Sequence, residues 1–249
     1  MVISEAQLTQ FHKDGYFTTD VVFDAATMDS LRMEFDRLWQ IELERAAEAD
    51  AATVELVRLR PFIGQVHTRS EICAEFVRGP VFQTICRTLI GPDADLYYNQ
   101  AVMKPPGKGR PFGWHQDSQY VITEPLEYVT CWIAVADTTI ENGTIWIVPG
   151  MHRHGILPHL WSDEQNEWQT QFDDSQKIPV ELKAGQMAVF SSLLPHSSGP
   201  NVSSATRYAY VPQYHGAGVV ARDSGELTGD QYPLLRDGVP VAAVLPVAV

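Results

Sequence analysis

Apolar side chains recur at helical spacing through the first third of the chain and then give way to short β-branched and aromatic runs. From about Ala25 to Glu48, the residues Met28, Leu31, Phe35, Leu38 and Leu43 fall approximately on one face, and the other face is charged. That is the pattern of an amphipathic helix laid on a core. Asp24 stands where its N-cap is needed. Upstream, Ser4 and Gln7 have capping-box spacing, with Ile3 and Leu8 placed as a hydrophobic staple. The turn signal 14-DGY-16 closes this first helix and leads into a short strand, Tyr16 to Thr19. Two more short helices are expected within residues 70–90, the second opening at Pro80 and stopping at 91-GPD-93.

After residue 94 the pattern changes. The segments 95-DLYYNQAVMK-104, 128-YVTCWIAV-135, 144-TIWIVP-149, 178-IPVEL-182, 186-QMAVFSS-192 and 206-TRYAYVPQY-214 read as strands separated by Gly, Pro, Asn and Asp. Helices followed by many short strands predict an α+β, mainly β fold around an antiparallel barrel or sandwich. The 249 residues fit a single domain. Its helical part covers about 1–93, its strand-rich core about 94–215, and a C-terminal extension 216–249. The segment 162-SDEQNEWQTQFDDSQ-176, with five carboxylates and no base, is expected to be a solvated loop rather than a lid.

Charge narrows the partners. Eighteen basic against 31 acidic residues give a net charge of −13, a field that repels phosphate backbones, so nucleic acid is excluded as a partner. Lys104, Lys108 and Arg110 remain as a local basic group for an anionic small molecule. Cys73, Cys86 and Cys131 are widely spaced and odd in number, which points to a reducing cytoplasm rather than disulfides. No secretory signal is read at the N-terminus. The apolar C-terminal stretch 239-VPVAAVLPVAV-249 is too short for a membrane span and suits a docked last strand or a homo-oligomer contact.

The chemistry starts at 113-GWHQDSQY-120. Alternate residues of an extended strand point the same way, so His115 and Asp117 offer an imidazole and a carboxylate to one point. Two ligands do not hold a metal. His196 supplies the third: it follows a buried-type strand ending at a proline, and Arg207 stands eleven residues further on. The pair His152 and His154 competes weakly, because Arg153 between them would disfavour a second cation. His12, His67, His159 and His215 are assigned ordinary surface or core roles. Two histidines and one carboxylate on one face of iron leave three positions open. Those suit a bidentate 2-oxo acid and O2, with Arg207 clamping the acid's far carboxylate by paired hydrogen bonds.

These residues sit in motifs that resemble the phytanoyl-CoA dioxygenase family of Fe(II)- and 2-oxoglutarate-dependent oxygenases. The likeness runs from about Leu8 to Tyr214 through 9-TQFHKDGYF-17, 103-MKPPG-107, 114-WHQD-117, 132-WIAVADTTIENGTIWIVPGMHRHG-155 and 196-HSSGPNVSSATR-207. The resemblance implies a double-stranded β-helix, a cupin-like jelly roll, with the N-terminal helices packed on one sheet. It implies His115, Asp117 and His196 as iron ligands, and Arg207 on the 2-oxoglutarate C5 carboxylate with the Ser198 hydroxyl beside it. Gln100 and Trp132 fall at positions next to the cosubstrate, and Tyr98, Gln100, Val102 and Lys104 alternate on one strand face. Arg60 is a candidate upstream contact. The implied reaction is hydroxylation of an unactivated C–H bond in a small, lipid-like or natural-product substrate, releasing succinate and CO2. Asp117 makes hydroxylation the default over halogenation. Trp114, Tyr120, Trp146 and Trp161 offer aromatic walls. Two other readings stay open: a zinc hydrolase or isomerase on a cupin-like barrel, and a non-catalytic binding module. Neither requires Arg207 or Ser198.

Overall fold

The structure, a computed structural model, describes residues 2–59, 62–107, 111–163 and 166–242. Arg60, Lys108, Arg110 and the tail from 243 onward lie outside the described residues. In chain order the elements are α1 (Glu5–Asp14), β1 (Tyr16–Thr18), α2 (Ala25–Ala49), α3 (Ala51–Leu59), β2 (Phe62–Gly64), α4 (Glu71–Phe76), α5 (Pro80–Leu89), β3 (Ala94–Lys104), β4 (Phe112–His115), β5 (Thr123–Glu124) and β6 (Val129–Ala134). They continue with β7 (Ile145–Ile147), β8 (His159–Ser162), β9 (Glu167–Thr170), β10 (Ile178–Val180), β11 (Met187–Ser191), β12 (His196–Ser198), β13 (Arg207–Gly216), β14 (Val220–Ala221), β15 (Tyr232–Arg236) and β16 (Val239–Pro240).

Helix starts follow their caps. Ser4 and Gln7 close a reciprocal capping box on α1, and Asp24 accepts from the Thr27 N–H at the start of α2. Gly15 ends α1 at φ 83°, a conformation that suits glycine, and a Cβ there would meet the His152 ring. Helix α3 was not legible in the hydrophobic pattern. Asp50 has extended backbone, ending α2, and its carboxylate then accepts from the Thr53 N–H to begin α3.

Two antiparallel sheets face each other, and the fold is a jelly roll. The larger runs β1-β11-β6-β13-β3-β15-β16, with β2 also on β3; the smaller runs β10-β7-β12-β4. The central strands β3, β6, β11 and β13 are buried on both faces, which is why they read as nearly continuous apolar runs. On β6, Val129, Cys131 and Ile133 join the cluster under the helices, whereas Trp132 and Ala134 join the cluster between the sheets. On β13, Tyr210 and Tyr214 face the helices, whereas Ala209 and Val211 face the other sheet. Phe35 of α2 meets Tyr210 edge-on at 5.3 Å, and Phe82 of α5 stacks on Tyr214 at 5.4 Å between centroids. The helices therefore brace the outer face of the sheet whose inner face lines the cavity. Cys73, Cys86 and Cys131 are buried and free, and burial pushes their thiols up.

Residues 216–242 return along the sheet. Strand β15 pairs with β3, and β16 docks on β15 through Leu235–Pro240 and Arg236–Val239. Phe35→Ala should cost about 3–5 kcal/mol, the range for truncating a fully buried aromatic. Urea unfolding of the variant against the parent measures it.

Candidate metal and anion site

Strand pairing makes the site. His115 is the last residue of β4 and His196 the first of β12, and the antiparallel register sets them directly opposite one another. Their ring centroids are 4.2 Å apart. Asp117 is not on the strand as expected. It opens a short 3-10 turn, Asp117–Gln119. The same-side relation survives because the intervening Gln116 keeps extended backbone, φ −116° and ψ 135°. Asp117 Oδ1 lies 3.9 Å from His115 Nε2 and 3.6 Å from His196 Nε2.

Each donor atom is aimed by a second partner. His115 Nδ1 meets the Gly113 carbonyl at 2.8 Å, and His196 Nδ1 meets the Leu194 carbonyl at 3.0 Å. An Nδ1–H donating to a carbonyl leaves Nε2 as the bare nitrogen, the form that ligates a metal. Thr130 Oγ donates to Asp117 Oδ2 at 2.6 Å, so Oδ1 is left for the shared point. Burial first, and the neighbouring His196 second, hold the His115 imidazole below its ordinary value and favour the neutral ligand form. Among the described residues, this is the cluster of three metal-binding side chains that the fold assembles. His152 and His154 sit apart from it on a turn, Met151–His154.

Gln116, between the two ligands, was missed by sequence reasoning. Its fully buried amide donates to the Gly155 and Leu193 carbonyls and accepts from the Leu157 N–H. His159 Nε2 accepts from the Gln116 N–H at 3.2 Å. One side chain thus ties the His115 strand end to the loop entering β12. The acidic segment also contributes, against expectation. It forms the β8–β9 hairpin, and Glu167, almost fully buried, accepts from the Gly113 N–H at 2.7 Å. The solvated-loop reading fails for the strand residues Ser162 and Glu167–Thr170, which lie hidden in a polar composition, and holds for 171–176.

A cavity of about 760 Å³ opens beside the three donors, and Gln100, Trp132, Ser198 and Arg207 all line it. Trp132 serves both core and cavity: it packs between the sheets, and the Arg207 guanidinium lies 5.4 Å from its ring centroid. Arg207 is 1% exposed, and its Nε and Nη1 have no hydrogen-bond partner. Burial pushes it down to about 9. Directly across the β3–β13 pair stands Lys104, equally buried, whose Nζ donates to Ser198 Oγ at 2.7 Å and to the Gly199 carbonyl. Burial, then the Arg207 charge, pushes Lys104 down to about 6. A buried guanidinium with idle N–H groups is costly unless an anion meets it, so the residues present fit a carboxylate ligand next to a metal.

Other segments complete the cavity wall. Tyr97, Tyr98, Tyr120 and Tyr128 line it, together with Thr228, Gly229 and Asp230 from the C-terminal extension. Gln65 Nε2 donates to Asp230 Oδ1 at 2.6 Å and joins the extension to the β2 end. Of the aromatic residues singled out in the sequence, Tyr120 reaches the cavity. Trp114 instead packs on Phe172 with its Nε1 on Asp174, and Trp161 packs on Trp168.

A family model described as Phytanoyl-CoA dioxygenase (PhyH) matches residues 11–209, a span that contains all three donors and Arg207. The chain belongs to that family. A family relative from Arabidopsis thaliana, a phytanoyl-CoA dioxygenase, is 26% identical over 149 residues, covering 58% of this chain and 53% of its own. The chain thus spans about half the length of that relative. An ectoine dioxygenase from Bordetella parapertussis is 26% identical over 221 residues, covering 81% and 71% of the two chains. Among solved structures, the non-heme monooxygenase ThoJ shares 25% identity with a TM-score of 0.68 over 92% of this chain and 86% of its own. A Micromonospora carbonacea protein solved with 2-oxoglutarate superposes with a TM-score of 0.72 at 22% identity, covering 91% and 96%.

The buried amine generates a pH signature. Folded Lys104 takes its proton near pH 6, whereas the ordinary value is 10.5. Between those values the unfolded chain binds the extra proton, so this group's contribution makes stability rise with pH. Lys104→Met should remove that slope, measured as the difference between parent and variant in urea unfolding at pH 6.5 and pH 9.

Proposed function

We propose that this PhyH-family protein is an Fe(II)- and 2-oxoglutarate-dependent dioxygenase that hydroxylates an unactivated C–H bond of a small molecule, with succinate and CO2 as co-products. One observation carries the reading: three aimed donor atoms share a cavity with a buried arginine that lacks a counter-ion. A zinc hydrolase has no use for that arginine, and neither does a passive binding module.

In this reading His115, Asp117 and His196 hold the iron on one face. Arg207 and the Ser198 hydroxyl receive the distal carboxylate of 2-oxoglutarate, and Gln100 and Trp132 flank it. The iron and cosubstrate together supply the oxidising power for C–H cleavage, which no protein side chain can provide. The chain's own work is to fix three ligands, orient one C–H bond and keep water from the site. Trp132 and Phe190 form dry walls near the donors, and the tyrosines with Thr228–Asp230 shape the space beyond.

The substrate class is read from those tyrosines and Thr228–Asp230, a lining that is aromatic and neutral-polar apart from Asp230. It suits a small to medium natural-product-like molecule better than a polyanionic CoA thioester. In support, solved neighbours include an epimerase complexed with a nogalamycin compound, and a protein bound to 5-hydroxyectoine. We also infer a reducing compartment, the cytoplasm, from the three buried free thiols. Among the described residues no helix is long and apolar enough to cross a membrane.

Anaerobic titration with Fe(II) and 2-oxoglutarate should produce the visible charge-transfer band of the chelate, and turnover should consume O2 and release succinate. His115→Ala and Asp117→Ala should abolish both; turnover with zinc alone would hand the site to the hydrolase reading. Arg207→Ala should raise the 2-oxoglutarate requirement roughly ten- to a hundred-fold, the equivalent of losing about 1.5–3 kcal/mol of charge-assisted hydrogen bonding. Cosubstrate saturation curves of the variant measure this.

A further inference from the structure

Lys104 does not line the cavity, yet its surroundings are organised around it. Its Nζ donates to Ser198 Oγ and to the Gly199 carbonyl, and its stem reaches the 141-ENGT-144 turn. Gly143 in that turn has φ 82°, and a Cβ there would strike the Gly199 and Pro200 carbonyls and the Lys104 side chain. Part of the family-like motif around residues 141–150 is thereby explained: its glycine lets the turn close over the lysine and the strand end at Ser198.

The hydrogen-bond accounting then leaves a surplus of donors. Ser198 Oγ accepts from Lys104, and its own proton has no acceptor among the described residues. Arg207 Nε and Nη1 are likewise idle. Arg207 and Lys104 face each other across the strand pair; the Glu167 charge acts on Lys104 from a distance, and among the described residues neither cation is in an ion pair. A methionine would fill the same space without burying an amine beside a guanidinium. The arrangement is costly in isolation and favourable once an anion enters.

We propose that Lys104 is a positioning residue for the distal carboxylate of the 2-oxo acid: it holds Ser198 by its oxygen so that the hydroxyl proton is donated into the cavity beside Arg207. The site is thereby selective for a 2-oxo acid bearing a second carboxylate. This rests on the dioxygenase reading and deepens it. Lys104 acts through Ser198, whose Oγ it holds.

The test is ligand binding to the Fe(II)-loaded protein under anaerobic conditions, with 2-oxoglutarate and with 2-oxopentanoate, which keeps the chelating end and lacks the distal carboxylate. Lys104→Met should weaken 2-oxoglutarate about tenfold or more, as expected for disturbing hydrogen bonds to a charged group. Binding of 2-oxopentanoate should change less than about twofold, within the scatter of independent effects. In a Ser198→Ala background the Lys104→Met change should have much less effect, since the pathway through the hydroxyl is already gone. Equal weakening of both acids would mean a general structural role and overturn the proposal. Undiminished 2-oxoglutarate affinity would overturn it too. Lys104→Gln repeats the measurement if the methionine variant does not fold. Failure of the parent protein to bind either acid would instead remove the dioxygenase reading itself.

Discussion

The pairing of β4 with β12 is the constraint on which the site depends. Its register sets His115 against His196, and a slip of one residue would send each imidazole to the opposite face of the smaller sheet. Two short strands with a bulge between His196 and Ser198 are weak specifiers of register by themselves. The buried Gln116 amide supplies what the ladder lacks, bonding the loops on both sides of the pair. The Glu167 carboxylate does the same from the hairpin side by holding Gly113. Neither residue touches the shared point of the three donors. Both determine where it is.

A second constraint is electrostatic. The interior next to the donors holds a guanidinium and an amine, both almost fully buried, opposite each other on neighbouring strands. Folding alone gives no reason for this, because apolar side chains of the same volume would pack there at less desolvation cost. The arrangement makes sense as half of an interaction whose other half is a small anion. The jelly roll tolerates it because both residues sit on long, central, well-paired strands with helices bracing their outer face.

Much of this was legible in the chain. The three donors and Arg207 stood in motifs with distinctive spacing, and strands buried on both faces announced themselves as apolar runs. Other parts were hidden for identifiable reasons. Helix α3 begins at the residue that ends α2, so Asp50 reads as one boundary when it serves two. The β8–β9 hairpin is masked by its acidic composition, and its informative residue, Glu167, is a buried charge that bonds backbone. Gln116 looked like a spacer between two ligands. Lys104 reads as a basic group on the strand face of Tyr98, Gln100 and Val102; those three line the cavity, whereas Lys104 faces Arg207 across the strand pair, which only folding reveals. Asp117 joins the cluster from a 3-10 turn and not from the expected strand: extended backbone at Gln116 keeps the geometry after the strand has ended.

The C-terminal return brings a late stretch of the chain to the cavity. Thr228, Gly229 and Asp230 furnish the wall farthest along the chain from the ion-binding motifs, and they lie after the family-matched span that ends at residue 209. Backbone pairing to Tyr97 and Leu96 holds them in place, the Gln65–Asp230 bond adds a side-chain tie, and Gly229 lies where a Cβ would strike the Tyr97 ring. The donor cluster lies wholly within the family-matched span, whereas the cavity wall draws on residues inside and beyond it. Changes at Thr228 or Asp230 therefore reshape the cavity without touching the three donors.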